Sequence, residues 1–160
     1  MKITSIGRKG LELIKFYEGF YSKPYLCPAG VWTIGYGTTF YFDTKKRVGP
    51  NDKSITKEEA DRLLIGHIDS IFAPLVDKLV RDDITQNQFD ALVSFCYNTG
   101  GGYIDKQGKF NYFDLFNNVN NRMSKDDLIK YWSNCAITGG GKKLNGLISR
   151  RKKEVDLYFL

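Results

Sequence analysis

Three residues able to do chemistry stand close together near the N-terminus. Glu18, Cys27 and Thr33 supply a carboxylic acid, a thiol and a hydroxyl, separated by eight and then five residues. A carboxylic acid can protonate a leaving group. A thiolate can activate water or face a developing positive charge, and a hydroxyl can hold that water in place. The segments between them carry Gly19, Gly30, Phe20, Tyr21, Tyr25 and Trp32. Reactive groups on a Gly- and aromatic-rich stretch suggest a cleft for acid-assisted hydrolysis, of the kind that splits sugar chains.

The elements around these residues must position them. A helix is expected from about Thr4 to Tyr17, with Thr4 or Ser5 as its cap and an apolar stripe at Leu13, Ile14 and Tyr17. Gly19 suits the left-handed residue that ends a helix, which leaves Glu18 at the C-terminal end. The partial charge there is already negative, so a carboxylate is disfavoured and its protonated form gains, as a general acid requires. The plainer alternative is an exposed Glu18 paired with Lys15 or Lys23. From Tyr25 to about Val48, short β-favouring pieces, Val31–Ile34 and Thr38–Phe42, alternate with glycines and read as antiparallel hairpins. Pro28-Ala29-Gly30 turns the chain after Cys27, and Gly35 and Gly37 permit a bend or a close backbone approach.

Thr56-x-x-Glu59 is a capping box that opens a long helix, with Pro74 set to kink or divide it. Thr85 caps another helix running to about Asn98. Further helices are expected over Asn111–Val119, Ser124–Trp132 and Leu144–Tyr158, with Gly139–Gly141 as a loop. Helix, small sheet, then helices only is an α+β order, with a cleft between a sheet lobe and a helical lobe.

Composition narrows the function. With 42% hydrophobic and 26% charged residues, the chain is neither disordered nor membrane-embedded. Met1–Arg8 lacks an apolar signal-peptide core, which suggests a cytoplasmic product. Three cysteines at scattered spacing (Cys27, Cys96 and Cys135) form neither a disulfide framework nor a metal site. Cys96 falls on an apolar helix stripe and reads as a core thiol. His67, the single histidine, reads as a structural or surface residue. The net charge of +6 is spread over both halves of the chain, and suits an anionic partner such as nucleic acid, a membrane surface or a cell wall. Its densest run, from Lys142 to Lys153, could equally be a solvated helix face. The aromatics crowding the N-terminal part suit sugar rings or unpaired bases, though most are expected to fill a core. No complete phosphate-binding glycine motif is present.

The Glu18-x8-Cys27-x5-Thr33 spacing resembles the catalytic triad of the phage-type lysozymes (muramidases, endolysins; glycoside hydrolase family 24), which place Glu, then Asp or Cys, then Thr in this way. Four further stretches resemble family signatures in the family's order: Trp32–Gly37, Ile55–Ala60, Ala91–Gly100 and Gly146–Glu154. The resemblance implies one bilobed domain over residues 1–160, a monomer. It places a sheet lobe at about 15–55, a connecting helix at 56–80, and a helical lobe at 81–160 packed with helix 4–17. It implies hydrolysis of the β-1,4 bond between N-acetylmuramic acid and N-acetylglucosamine in peptidoglycan, with Glu18 as general acid. Cys27 would assist water or steady the sugar's positive charge, Thr33 would place the water, and Arg150, or alternatively Arg151, would support Glu18. No cofactor, metal or nucleic acid is implied. A holin or other route would give access to the cell wall. Two competing readings are a non-catalytic peptidoglycan-binding relative and a basic nucleic-acid-binding protein.

Overall fold

The computed structural model of the chain describes residues 2–160, so Met1 lies outside it. Helix α1 (Arg8–Glu18) leads into a hairpin of β1 (Tyr21–Leu26) and β2 (Trp32–Gly35). A helical rod follows: α2 (Lys57–His67), a π-helical stretch (Ile68–Phe72) and α3 (Ala73–Leu79). The remainder is mostly helical: α4 (Gln86–Thr99), a hairpin of β3 (Gly102–Ile104) and β4 (Phe110–Tyr112), α5 (Leu115–Asn120), α6 (Lys125–Ser133), a two-residue hairpin of β5 (Thr138–Gly139) and β6 (Lys142–Lys143), and α7 (Asn145–Tyr158). The expected α+β class and its order are present.

Helix α1 begins four residues later than the sequence suggests, and neither Thr4 nor Ser5 caps it. Its N-cap is Gly7, which has no capping side chain. The carboxylate of Asp90, on α4, does the work instead. It accepts the backbone N–H groups of Gly7 at 2.7 Å and Gly10 at 3.0 Å. A negative group placed there satisfies two orphan donors and faces the positive end of the helix dipole. A Cβ on Gly10 would come within 2.7 Å of the Asp90 Cβ, so this glycine lets α1 and α4 meet closely. That contact fixes the axis carrying Glu18.

The capping box at Thr56 forms as expected: Glu59 N–H donates to Thr56 Oγ1 at 3.1 Å, and Thr56 N–H donates to Glu59 Oε2 at 2.8 Å. Thr85 and Gln88 repeat the device for α4. Pro74 lacks an N–H, and its ring crowds the carbonyl four residues back. The rod widens just before it, where the N–H of Ala73 bonds the carbonyl of Ile68. Pro74 then sits in the first turn of α3, where it is tolerated.

Other expectations need correction. Thr38–Phe42 is not a strand: positive φ at Gly35 and Gly37 (64° and 81°) turns the chain after β2, leaving only isolated bridges, Ile34 to Thr38 and Phe40 to Arg47. Residues 110–112 are strand, not helix, paired in register with 102–104, and α5 starts at Leu115. Asp105 closes that hairpin by accepting the N–H groups of Gln107 and Lys109. Of the expected loop Gly139–Gly141, Gly139 ends β5 and Gly140-Gly141 makes the turn to β6. The basic run is not a solvated face throughout. Arg150 and Arg151 are 3% and 0% exposed, while Lys142, Lys143, Lys152 and Lys153 reach solvent.

The core lies where α4 and α7 cross, with Phe89, Leu92, Phe95, Trp132, Val155 and Tyr158 buried together. Cys96 joins it, and burial pushes its thiol far above the usual range, as suits an inert core thiol. Much of the aromatic content packs in this way, but Phe16 is 75% exposed.

Candidate active site

Glu18 is the last residue of α1. Gly19 follows at φ 69°, ψ 159°, a positive φ that favours glycine but not the left-handed helical conformation expected from the sequence, and its N–H bonds back to Lys15. The Glu18 side chain does not pair with Lys15, whose ammonium instead meets Asp61 at 2.6 Å. It pairs with Arg150: Nη1 donates to Glu18 Oε1 at 2.7 Å.

Arg150 is held from every side. Its Nη2 donates to the Ser94 carbonyl at 3.3 Å, its Nε to Glu154 Oε1 at 3.4 Å, and its guanidinium lies 5.5 Å from the centre of the Tyr17 ring. Glu154, fully buried, also accepts Ser94 Oγ at 2.8 Å and Trp132 Nε1 at 3.2 Å, and meets Arg151 Nε at 3.3 Å. Burial works against both charges of this last pair, raising Glu154 and lowering Arg151. Arg151 turns away from Glu18, donates to Asn98 Oδ1, and lies over the Phe95 ring. Of the two arginines, Arg150 is therefore the one that touches Glu18.

Cys27 and Thr33 come together through the β1–β2 hairpin, where Tyr25 faces Thr33 and Leu26 faces Trp32. The register slips between Tyr21 and Tyr25, a bulge of the kind that re-aims side chains beside active sites. The Cys27 N–H and the Thr33 hydroxyl both donate to the Val31 carbonyl, each at 3.0 Å. The Cys27 thiol is held below its ordinary range, first by the backbone of Val31, and further by Ala29 and the Thr33 hydroxyl. The turn itself thus favours the thiolate form of Cys27 over the thiol.

No hydrogen bond joins Glu18 to Cys27 or Thr33 among the described residues. Tyr25, opposite Thr33 on the hairpin, has a half-buried phenol raised by burial first, and then by the charges of Tyr21, Glu18 and Cys27. A cavity of about 290 Å³ opens at Glu18, but its walls are Gly37, Thr39, His67, Phe72, Tyr97 and Asn98 rather than Cys27 or Thr33. Sequence reasoning missed most of this wall. Gly37 carried a signal of its own, as a glycine suited to close approach, and Tyr97 and Asn98 fall in the Ala91–Gly100 stretch.

The reason for that glycine is specific. A Cβ at position 37 would stand 2.9 Å from Glu18 Oε2 and 3.2 Å from the Tyr97 hydroxyl, and φ is 81°. Tyr97 is fixed by donating to the Tyr36 carbonyl at 2.7 Å, and burial, then the charge of Glu18, pushes its phenol well above the usual range. Gly37→Ala is expected to lower lytic activity at least tenfold while the far-ultraviolet dichroism stays native, because the methyl displaces the carboxyl rather than the core. Wild-type activity in a folded Ala variant would contradict this placement.

A carboxyl with one oxygen on a buried arginine and the other over a bare glycine, at the mouth of a cavity, makes a positioned acid. The family model described as phage lysozyme matches residues 15–154. The chain belongs to the phage lysozyme family. An endolysin of Acyrthosiphon pisum secondary endosymbiont phage 1 is 35% identical over 155 residues, covering 96% of this chain and 97% of that protein. An endolysin of Bacillus phage B103 is 36% identical over 156 residues, and there the chain spans 96% of itself but only 54% of its relative. The chain thus spans about half the length of that relative. The muramidase domain of SpmX from Asticaccaulis excentricus superimposes with a TM-score of 0.74 at 34% identity, covering 99% of both chains. The chain therefore carries a phage-lysozyme domain. No helix among the described residues is long and apolar enough to cross a membrane.

Proposed function

We propose that this chain is an endolysin that hydrolyses the β-1,4 bond between N-acetylmuramic acid and N-acetylglucosamine in peptidoglycan, with Glu18 as the general acid. The observation that carries the reading is the Arg150–Glu18 contact at 2.7 Å beside Gly37. The guanidinium holds Oε1, so the carboxyl cannot swing away. Oε2 is left over the glycine to deliver a proton to the leaving glycosidic oxygen. As that bond breaks, positive charge grows on the sugar ring. A thiolate at Cys27 steadies it or takes a proton from water, and the Thr33 hydroxyl, already turned toward the Cys27 loop, helps to seat that water. The muramidase SpmX domain and the endolysin relatives favour peptidoglycan as the substrate class.

The setting follows from the chemistry. The exposed lysines at 142, 143, 152 and 153 suit an anionic wall, and clearing should slow as salt rises. The enzyme acts as a monomer on glycan strands. If it is made in the host cytoplasm, a holin or other route must bring it to the wall.

Cys27 makes the proposal testable by pH. The turn lowers its thiol, so the thiolate fraction grows as pH rises through a value below that of a free cysteine. Clearing by the native chain is expected to rise with pH across the interval just below the ordinary cysteine range. Cys27→Asp should keep activity and lose that rise, since an aspartate is ionised throughout this interval. Purified cell walls and a turbidity assay check both points. A Cys27→Asp profile that still climbs with the native one would remove the thiolate from the mechanism. A native chain that binds walls but never clears them would favour a non-catalytic glycan-binding role.

A further inference from the structure

His67 is not used by the chemistry above, yet it lines the same cavity as Glu18. It is 8% exposed, and its Nδ1, sealed from solvent, has no hydrogen-bond partner in the protein, so the ring borders the cavity by its other edge. Three rings hold the imidazole: Phe40 at 4.6 Å, Phe72 at 5.3 Å and Tyr97 at 6.1 Å between centres. Its surroundings also keep it uncharged. Burial, and then the charge of Lys45, hold its pKa below the usual histidine range. A neutral imidazole offers one N–H donor and one acceptor.

The rod explains how it gets there. His67 ends α2, and Phe72 ends the π-helical stretch that follows. In a regular α-helix, residues five apart point about 140° away from each other. The wider π winding instead sets His67 and Phe72 against one cavity, with their rings in contact. π-Helical insertions of this kind recur at functional sites.

We propose that His67 is a substrate-binding residue of the cleft, hydrogen-bonding a hydroxyl or acetamido group of the glycan while Phe72 and Tyr97 fix its ring. This rests on the glycan-hydrolase reading and assigns that site a polar recognition residue. Hydroxyl and acetamido groups suit a neutral imidazole, since both donate and accept. A histidine that only fills the core would not need to border the cavity, and a phenylalanine would serve there as well.

The full-length Glu18→Gln chain, which binds without turnover, is the material for the test. It is titrated with soluble glycan strands taken from peptidoglycan stripped of its stem peptides. The ring signals of this single histidine are followed beside the Asn98 side-chain amide. Movement of both, saturating with one Kd, is the expected result. If Asn98 moves and His67 does not, the histidine is structural and the inference falls while the glycan reading stands. If neither moves, the glycan reading falls and takes the inference with it. In the active chain, His67→Phe should raise KM roughly three- to tenfold, the loss of one neutral hydrogen bond, with kcat little changed. Unchanged KM would overturn the assignment.

Discussion

Glu18→Gln is expected to abolish clearing of purified cell walls, with a fall of about 10²–10⁴-fold or more, the usual contribution of a positioned general acid. The amide is isosteric and can still accept from Arg150, so the variant should fold and bind. What it lacks is the proton that the proposed mechanism draws from Oε2 beside Gly37. Losing activity with binding intact separates a catalytic Glu18 from one that only anchors the lobes. Retained wall affinity, read in a pull-down with the same walls, completes the argument. Wild-type clearing by the Gln variant would remove Glu18 from the mechanism.

Glu154→Gln is the second large effect, and it concerns stability. Glu154 is 0% exposed and meets two arginine side chains that are themselves buried. Removing its charge leaves Arg151 in the core without a counter-ion, and Arg150 with only Glu18. Breaking a buried ion pair from one side costs about 3–5 kcal/mol. The amide also cannot reproduce acceptance from both Ser94 and Trp132 while facing two guanidinium groups with its own N–H donors. Urea unfolding of the variant should show a lower midpoint with an unchanged slope. Because Glu154 helps to hold Arg150, and Arg150 holds Glu18, the surviving folded fraction should also clear walls more slowly. A midpoint within experimental error of the native one would show that the cluster is better described as packing than as a charge network.

What could be read in the sequence was local. Thr56 and Glu59, or Thr85 and Gln88, lie three residues apart, and the caps they form follow from that spacing alone. Glu18 ends a helix because Gly19 comes next. Cys27 meets Thr33 because Pro28-Ala29-Gly30 turns the chain between two short strands. The largest failures were long-range. Asp90 caps α1 from about eighty residues away, and no pattern within the first ten residues announces it. The arginine pair looked like a basic surface because its neighbours in sequence are lysines. The acid that buries it, Glu154, lies one helical turn on and inside the core. The β3–β4 hairpin left a signal that was passed over. Tyr103-Ile104 and Phe110-x-Tyr112 favour strands, and Asp105 to Gly108 is a turn.

The cleft wall was hidden for the same reason. Gly37 and Thr39 follow β2, His67 ends α2, and Tyr97 and Asn98 lie near the end of α4, three stretches far apart in sequence. His67 read as structural because one histidine on a helix, far in sequence from Cys27, forms no catalytic pair. Only the widened winding before Pro74 puts its ring against that of Phe72 beside the cavity.

The most direct test of the central claim is the identity of the new reducing ends. Purified peptidoglycan is digested with the native chain, with Glu18→Gln in parallel, and the released fragments are reduced and read by mass spectrometry. Reducing N-acetylmuramic acid ends from the native chain, and none from the variant, is the predicted result. Reducing ends on N-acetylglucosamine, cleavage confined to the peptides, or equal release by Glu18→Gln would contradict it.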